Sequence, residues 1–126
     1  MSENSSNFKG EDRPVENFSW DDVQVFIEKM NDMKPELKLC LPTEAQWEFA
    51  ARAGGQSTYA WGEEKPDDGK PKANTWQGLF PFKNNVKDGF SGLSPVGCYA
   101  PDANGLYDMT GNVWEWTDTA YTPDRT

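Results

Sequence analysis

Beyond Gly55 the chain loses any regular hydrophobic periodicity, and this limits its possible folds more than any other feature. From there to the end, Gly, Pro, Asp and Asn are scattered among aromatics, and the apolar runs are short, as in SPVGCYA and NVWEWT. That composition predicts loops and short strands. The segment EEKPDDGKPK, 63–72, reads as a charged exposed loop. A long irregular stretch in a compact domain is unusual and is normally functional, or held by something other than backbone ladders. Bound metal is one such staple.

The chain before Gly55 is of another kind. Ser19 opens SWDDVQVFIEKMND, where Ser19 followed by Asp22 resembles a capping box and Asp21 and Asp22 suit the positive end of a helix dipole. Val23, Phe26, Ile27 and Met30 fall on one stripe, so an amphipathic helix is predicted over about 20–31. A second helix is expected in LPTEAQWEFAARAGG, with a Thr43–Gln46 capping box, Arg52 in the last turn and Gly54 at the left-handed C′ position. Trp47, Ala50 and Ala51 should face inward. Glu44 and Glu48 read as a solvated face.

A chain of 126 residues fits one domain and buries roughly two thirds of the surface its unfolded form exposes. Twelve basic against twenty-one acidic residues give a net charge of −9, the wrong sign for a phosphate backbone or for anionic lipid. Neither nucleic acid nor a membrane is an expected partner. The start, MSENSSNFKGEDRP, has no apolar signal region and no later run approaches a membrane span, so a cytoplasmic location is expected for the sequence as written. Residues 1–12 are polar and aperiodic and are expected to be disordered, with the domain occupying 13–126.

With no histidine in the sequence, His-containing zinc sites, Ser-His and Cys-His nucleophile pairs and imidazole acid-base work are unavailable. Cys40 and Cys98 are far apart and in no C-x-x-C arrangement. They could pair, or stay as reduced apolar residues, as a cytosolic setting favours. Nothing basic flanks either thiol to hold a thiolate.

The run GLYDMTGNVWEWTD, 105–118, sets Glu115 between Trp114 and Trp116 just after a Gly-Asn turn. On a strand the two indoles would share one face and Val113, Glu115 and Thr117 the other. Trp47, Trp114 and Trp116 are then expected to be mostly buried. Glu115 is either a surface acid or closes with Asp108 on one hard cation across the turn. An EF-hand is excluded, because loops begun at Asp102 or Asp108 lack glycine at the sixth position.

Five stretches in order, PVENFSWDDV, LPTEAQWEFAARAGG, YAWGEE, ANTWQGLFPFKNNVKDGF and SPVGCYAPDANGLYDMTGNVWEWT, resemble the sulfatase-modifying-factor domain of the formylglycine-generating enzyme family. The resemblance covers about residues 13–118. It implies an α+β fold related to the C-type lectin-like domains, with two helices beside short antiparallel strands and much irregular loop. It also implies two structural calcium ions. One would be held by side-chain oxygens of Asn74 and Asp88 with carbonyls of Thr75 and Phe90, the other by Asp108 and Glu115 with carbonyls of Gly111 and Val113. Calcium takes six to eight oxygen ligands in loose geometry, and such donors suit it.

The same resemblance implies, for the full-length family enzyme, a copper held by two cysteines that oxidises the cysteine of a C-x-P-x-R segment in a sulfatase to formylglycine. Those cysteines belong to a Gly-Gly-Ser-rich segment downstream of the WEW motif. Neither Cys40 nor Cys98 matches them, and the family's strands before PVENFSW have no counterpart here. The expectation is a partial domain, inactive alone, with sheet edges or apolar faces exposed to association. Its partner would be a sulfatase or another protein or peptide ligand. The competing readings are a lectin-like module that displays or binds a ligand, as in the variable proteins of diversity-generating retroelements, and a non-catalytic sulfatase-binding member.

Overall fold

A computed structural model describes residues 4–66 and 68–123. Residues 1–3 of the expected tail, Asp67 of the charged loop and the terminal 124–126 lie outside the described residues.

Helix α1, Trp20–Met33, is started by Ser19. Its hydroxyl accepts the Asp22 backbone N–H, and the Asp22 carboxylate accepts the Ser19 N–H in return. A 3-10 turn, Pro35–Leu37, follows. Helix α2, Glu44–Arg52, is started in the same reciprocal way by Thr43 and Gln46. It ends on Ala53 in the left-handed region, with Gly54 at φ +75° just beyond. Both helix starts are thus set locally, by partners three residues apart.

The second half is α+β only in a minimal sense. Among the described residues its regular strands are β1, Gly78–Leu79, and β2, Lys83–Asn84, an antiparallel pair in the register Gly78–Asn84 and Leu79–Lys83. The expected strands in SPVGCYA and NVWEWT do not form. Residues 114–117 carry no ladder, so the two-face alternation expected there has no sheet to act on. The burial expected of the tryptophans is corrected at two of the three: Trp114 is fully exposed and Trp116 is 47% exposed, whereas Trp47 is partly buried.

The 114–119 segment is instead stitched to the helix starts. Trp20 Nε1 donates to the Thr117 carbonyl at 3.2 Å and Trp116 Nε1 to the Phe18 carbonyl at 3.3 Å. Asp118 N donates to Pro42 O, and Glu44 N to Thr119 Oγ1, both at 2.9 Å.

Among the described residues, those buried are Ser6, Ala73, Asn74, Gln77 and Ser94, and only Ala73 is apolar. The centre of the molecule is therefore a polar one, which holds only where its groups find partners. Residues 4–12, expected as part of a disordered tail, lie against it. Glu16 Oε1 accepts the Phe8 N–H at 3.0 Å, Asp12 O accepts the Val96 N–H at 2.7 Å, and the Phe8 ring sits on Gly92.

Candidate functional site

Asn112 is the hinge of the polar centre. Its Oδ1 accepts from Ser94 N at 3.0 Å and from Asn74 Nδ2 at 3.3 Å, its Nδ2 donates to Ser94 O at 3.3 Å, and its own N–H donates to Asn74 O at 2.9 Å. Asn74 Nδ2 also donates to Gly92 O at 2.7 Å. One residue thus joins segments near 74, 94 and 112. The approach requires glycine at 111: φ is +82°, and a Cβ there would lie 2.2 Å from Asn74 O.

Asp88 braces the loop after β2. Its Oδ2 accepts from Thr75 N at 3.1 Å and its Oδ1 from Phe90 N at 3.0 Å, while its own N–H donates to Gln77 Oε1 at 2.8 Å. Together with the adjoining Asn74, these contacts gather Thr75, Asp88 and Phe90, the first expected calcium set.

The second expected set is not drawn together by hydrogen bonds. Asp108 Oδ2 accepts from Gly97 N at 2.7 Å, whereas Glu115 Oε2 accepts from Trp47 Nε1 at 2.6 Å. Asp108, Gly111 and Asn112 all have positive φ, so the chain between the two acids turns tightly.

The donor chemistry of both sets suits a hard cation. Among the described residues, the carbonyl oxygens of Thr75, Phe90, Gly111 and Val113 accept no hydrogen bond, nor do Asn74 Oδ1, Asp108 Oδ1 and Glu115 Oε1. Of the neighbouring acceptors, Asn74 O, Gly92 O and Ser94 O take hydrogen bonds. Among the described residues no three His, Cys, Asp or Glu side chains cluster as a metal site, so carbonyls would have to supply much of the coordination.

A cavity of about 410 Å³ lies beside this region, with Trp61, Cys98, Tyr99, Asp102, Leu106 and Asp108 in its wall. Burial first, and then the charges of Asp88, Cys98 and Asp108, push the Tyr99 hydroxyl up to about 12, so it stays protonated. Its oxygen and Asp102 Oδ2 are sealed from solvent without partners among the described residues. Both cysteines are free; Cys98 lines this cavity and Cys40 precedes α2, outside it.

The profile of the sulfatase-modifying factor enzyme 1-like domain matches residues 2–126. The chain belongs to that family. Among its relatives, the formylglycine-generating enzyme of Mycobacterium tuberculosis is 54% identical over 83 residues, covering 66% of this chain and 28% of that protein. The inactive C-alpha-formylglycine-generating enzyme 2 of Mus musculus is 44% identical over 113 residues, covering 87% of this chain and 33% of that protein. The structure of PvdO from Pseudomonas aeruginosa superposes with a TM-score of 0.74 at 28% identity, covering 91% of this chain and 41% of that one. The chain spans about a third of the length of these curated relatives. The α+β arrangement of two helices, a short antiparallel pair and long loops is thus a sulfatase-modifying-factor fold.

Three residues of this family member escape a reading of its motifs. Asn112 is legible only as half of a Gly-Asn turn, a pairing that does signal positive φ. Gln77 and Ser94 carry no local signal, since their burial depends on segments remote in sequence.

Proposed function

We propose that this chain forms the calcium-held middle of a formylglycine-generating-enzyme-type domain, whose client is the cysteine-bearing segment of a sulfatase. The observation that carries the reading is the set of oxygens without donors: Asn74 Oδ1 and the carbonyls of Thr75 and Phe90 around Asp88, then Asp108 Oδ1, Glu115 Oε1 and the carbonyls of Gly111 and Val113. Each set takes one calcium ion. The ion's part is structural, cross-linking loops that lack backbone ladders.

Copper is not assigned to Cys40 or Cys98, which are free and sit in different surroundings. Purified chain, with or without copper, is expected to leave the cysteine of a C-x-P-x-R peptide unoxidised. Aldehyde formation in proportion to this protein, read by mass spectrometry, would overturn that part. A non-catalytic client-binding role is the second reading, since the relatives include a mouse protein named as inactive, 44% identical, beside the Mycobacterium tuberculosis enzyme at 54%.

The calcium reading is tested by melting the chain in calcium and in chelator. A ligand that binds only the folded state stabilises it by about 2.7 kcal/mol per site at about a hundred times its dissociation constant. A rise in Tm of several degrees is expected for a domain of this size, reversed by chelator. Magnesium, which demands a tighter octahedron, substitutes poorly. Glu115→Gln removes most of the response at one site. Curves indifferent to calcium and chelator, from folded and metal-stripped protein, reject the reading.

A further inference from the structure

We propose that Trp47 is a positioning residue that orients the Glu115 carboxylate toward a divalent cation and so couples helix α2 to the loop that holds it. This rests on the reading of Glu115 as a calcium ligand.

The hydrogen bond from Trp47 Nε1 to Glu115 Oε2 is 2.6 Å long. Glu115 is exposed, and among the described residues it has no salt bridge. Without the indole, its carboxylate would be free to sweep through several rotamers, an entropy any cation would have to remove. The backbone that carries the indole is held. Trp47 N donates to Thr43 O at 2.9 Å in a capped first turn, and the start of the helix is bonded to Asp118 and Thr119 a few residues past Glu115. Donor and acceptor are therefore held in one frame.

The chemistry divides cleanly between the two oxygens. Indole N–H is a donor only, so Trp47 cannot ligate a cation or compete for one. It occupies Oε2 and leaves Oε1 without a donor among the described residues. Asp108 is treated alike, its Oδ2 on Gly97 N and its Oδ1 open. Partners of this outer kind set ligand orientation, and losing one typically weakens metal binding by about 10- to 100-fold.

The test is a calorimetric calcium titration of the full chain, unmutated and as Trp47→Phe, which keeps an aromatic ring and removes the N–H. The expected result is about a tenfold loss of affinity at one of two sites, with the other unchanged. In a Glu115→Gln background, Trp47→Phe should have no further effect on calcium. In ¹⁵N-labelled unmutated protein, the Trp47 indole resonance should shift on saturation with calcium. Equal calcium affinity with and without the indole N–H overturns the proposal even where Trp47→Phe melts lower, because a packing role alone predicts that. Should Trp47→Phe fail to fold, the resonance decides, and an unmoved signal overturns it. No calcium heat in the unmutated chain rejects the calcium reading itself, whereas heat that Trp47→Phe leaves intact rejects only the role of Trp47.

Discussion

The helical region, residues 20–52, and the loop region, residues 73–118, are ordered by opposite means. Each helix start is decided by a reciprocal pair three residues apart, Ser19 with Asp22 and Thr43 with Gln46. The loop region is decided by side chains reaching distant backbone and one another. Asn112 bonds Asn74 across 38 residues and Ser94 across 18, and Asp88 bonds Thr75 across 13. A capping box fails alone, costing one turn. An amide that closes three segments fails for all of them, since each partner left behind is desolvated and unsatisfied.

The sharpest way to break this contrast is a pair of matched glycine substitutions. Gly111 and Gly54 have similar positive φ, +82° and +75°, but a Cβ at 111 meets Asn74 O whereas at 54 it meets nothing within 4 Å. Gly111→Ala should cost about 4 kcal/mol, a clash added to backbone strain, and Gly54→Ala about 1 kcal/mol from strain alone. Equal losses in urea denaturation would erase the distinction between the regions.

Asn112→Ala comes next. It strips the acceptor from the buried Ser94 N and Asn74 Nδ2, at about 3 kcal/mol. Hydrogen exchange should quicken across 73–112 while amides of α1 and α2 keep their protection. Uniform quickening would show the two regions to be one cooperative unit.

The smallest effects belong to the helices. Thr43→Ala should cost about 1 kcal/mol, read from the urea midpoint. The Asp22 carboxyl is held below its usual 3.8 by the Ser19 backbone N–H and then by its hydroxyl. A lowered folded value means that its contribution is present above the unfolded value and lost as pH falls through the folded one. Helical signal should therefore weaken below about pH 4, and less so in Ser19→Ala, where part of the interaction is already gone.

The same contrast explains how much of the fold and of the site is legible in the amino-acid sequence. Helix α1, expected over 20–31, spans Trp20–Met33, and both capping boxes close reciprocally, because the determining residues are neighbours in the chain. Membership in the family is legible for a different reason, the order of five motifs. The tryptophans defeat that kind of reading: alternation along 114–116 says which side chains share a face, but a face is buried only if a partner strand or helix covers it. Gln77 and Ser94 are polar and give no hint of burial, nor does Asn112 of its bridging, since a polar side chain goes inside only when remote partners are already there. The calcium sets come from the family resemblance, with open oxygens as their physical support.

The stitching of residues 114–119 to the helix starts has a consequence in time. Its bonds join positions 68 to 98 residues apart, from Trp47–Glu115 to Trp116–Phe18. Closing loops that long loses chain entropy before any contact rewards it, and high contact order slows folding. On a ribosome, α1 and α2 can coil as soon as their caps emerge, but the segment that joins their starts is made only after the whole loop region between. The nascent chain therefore passes through a stage in which α1 and α2, of 14 and 9 residues and marginal as isolated helices, are unmoored, with the indole N–H groups of Trp20 and Trp47 turned to water and nothing yet to receive them.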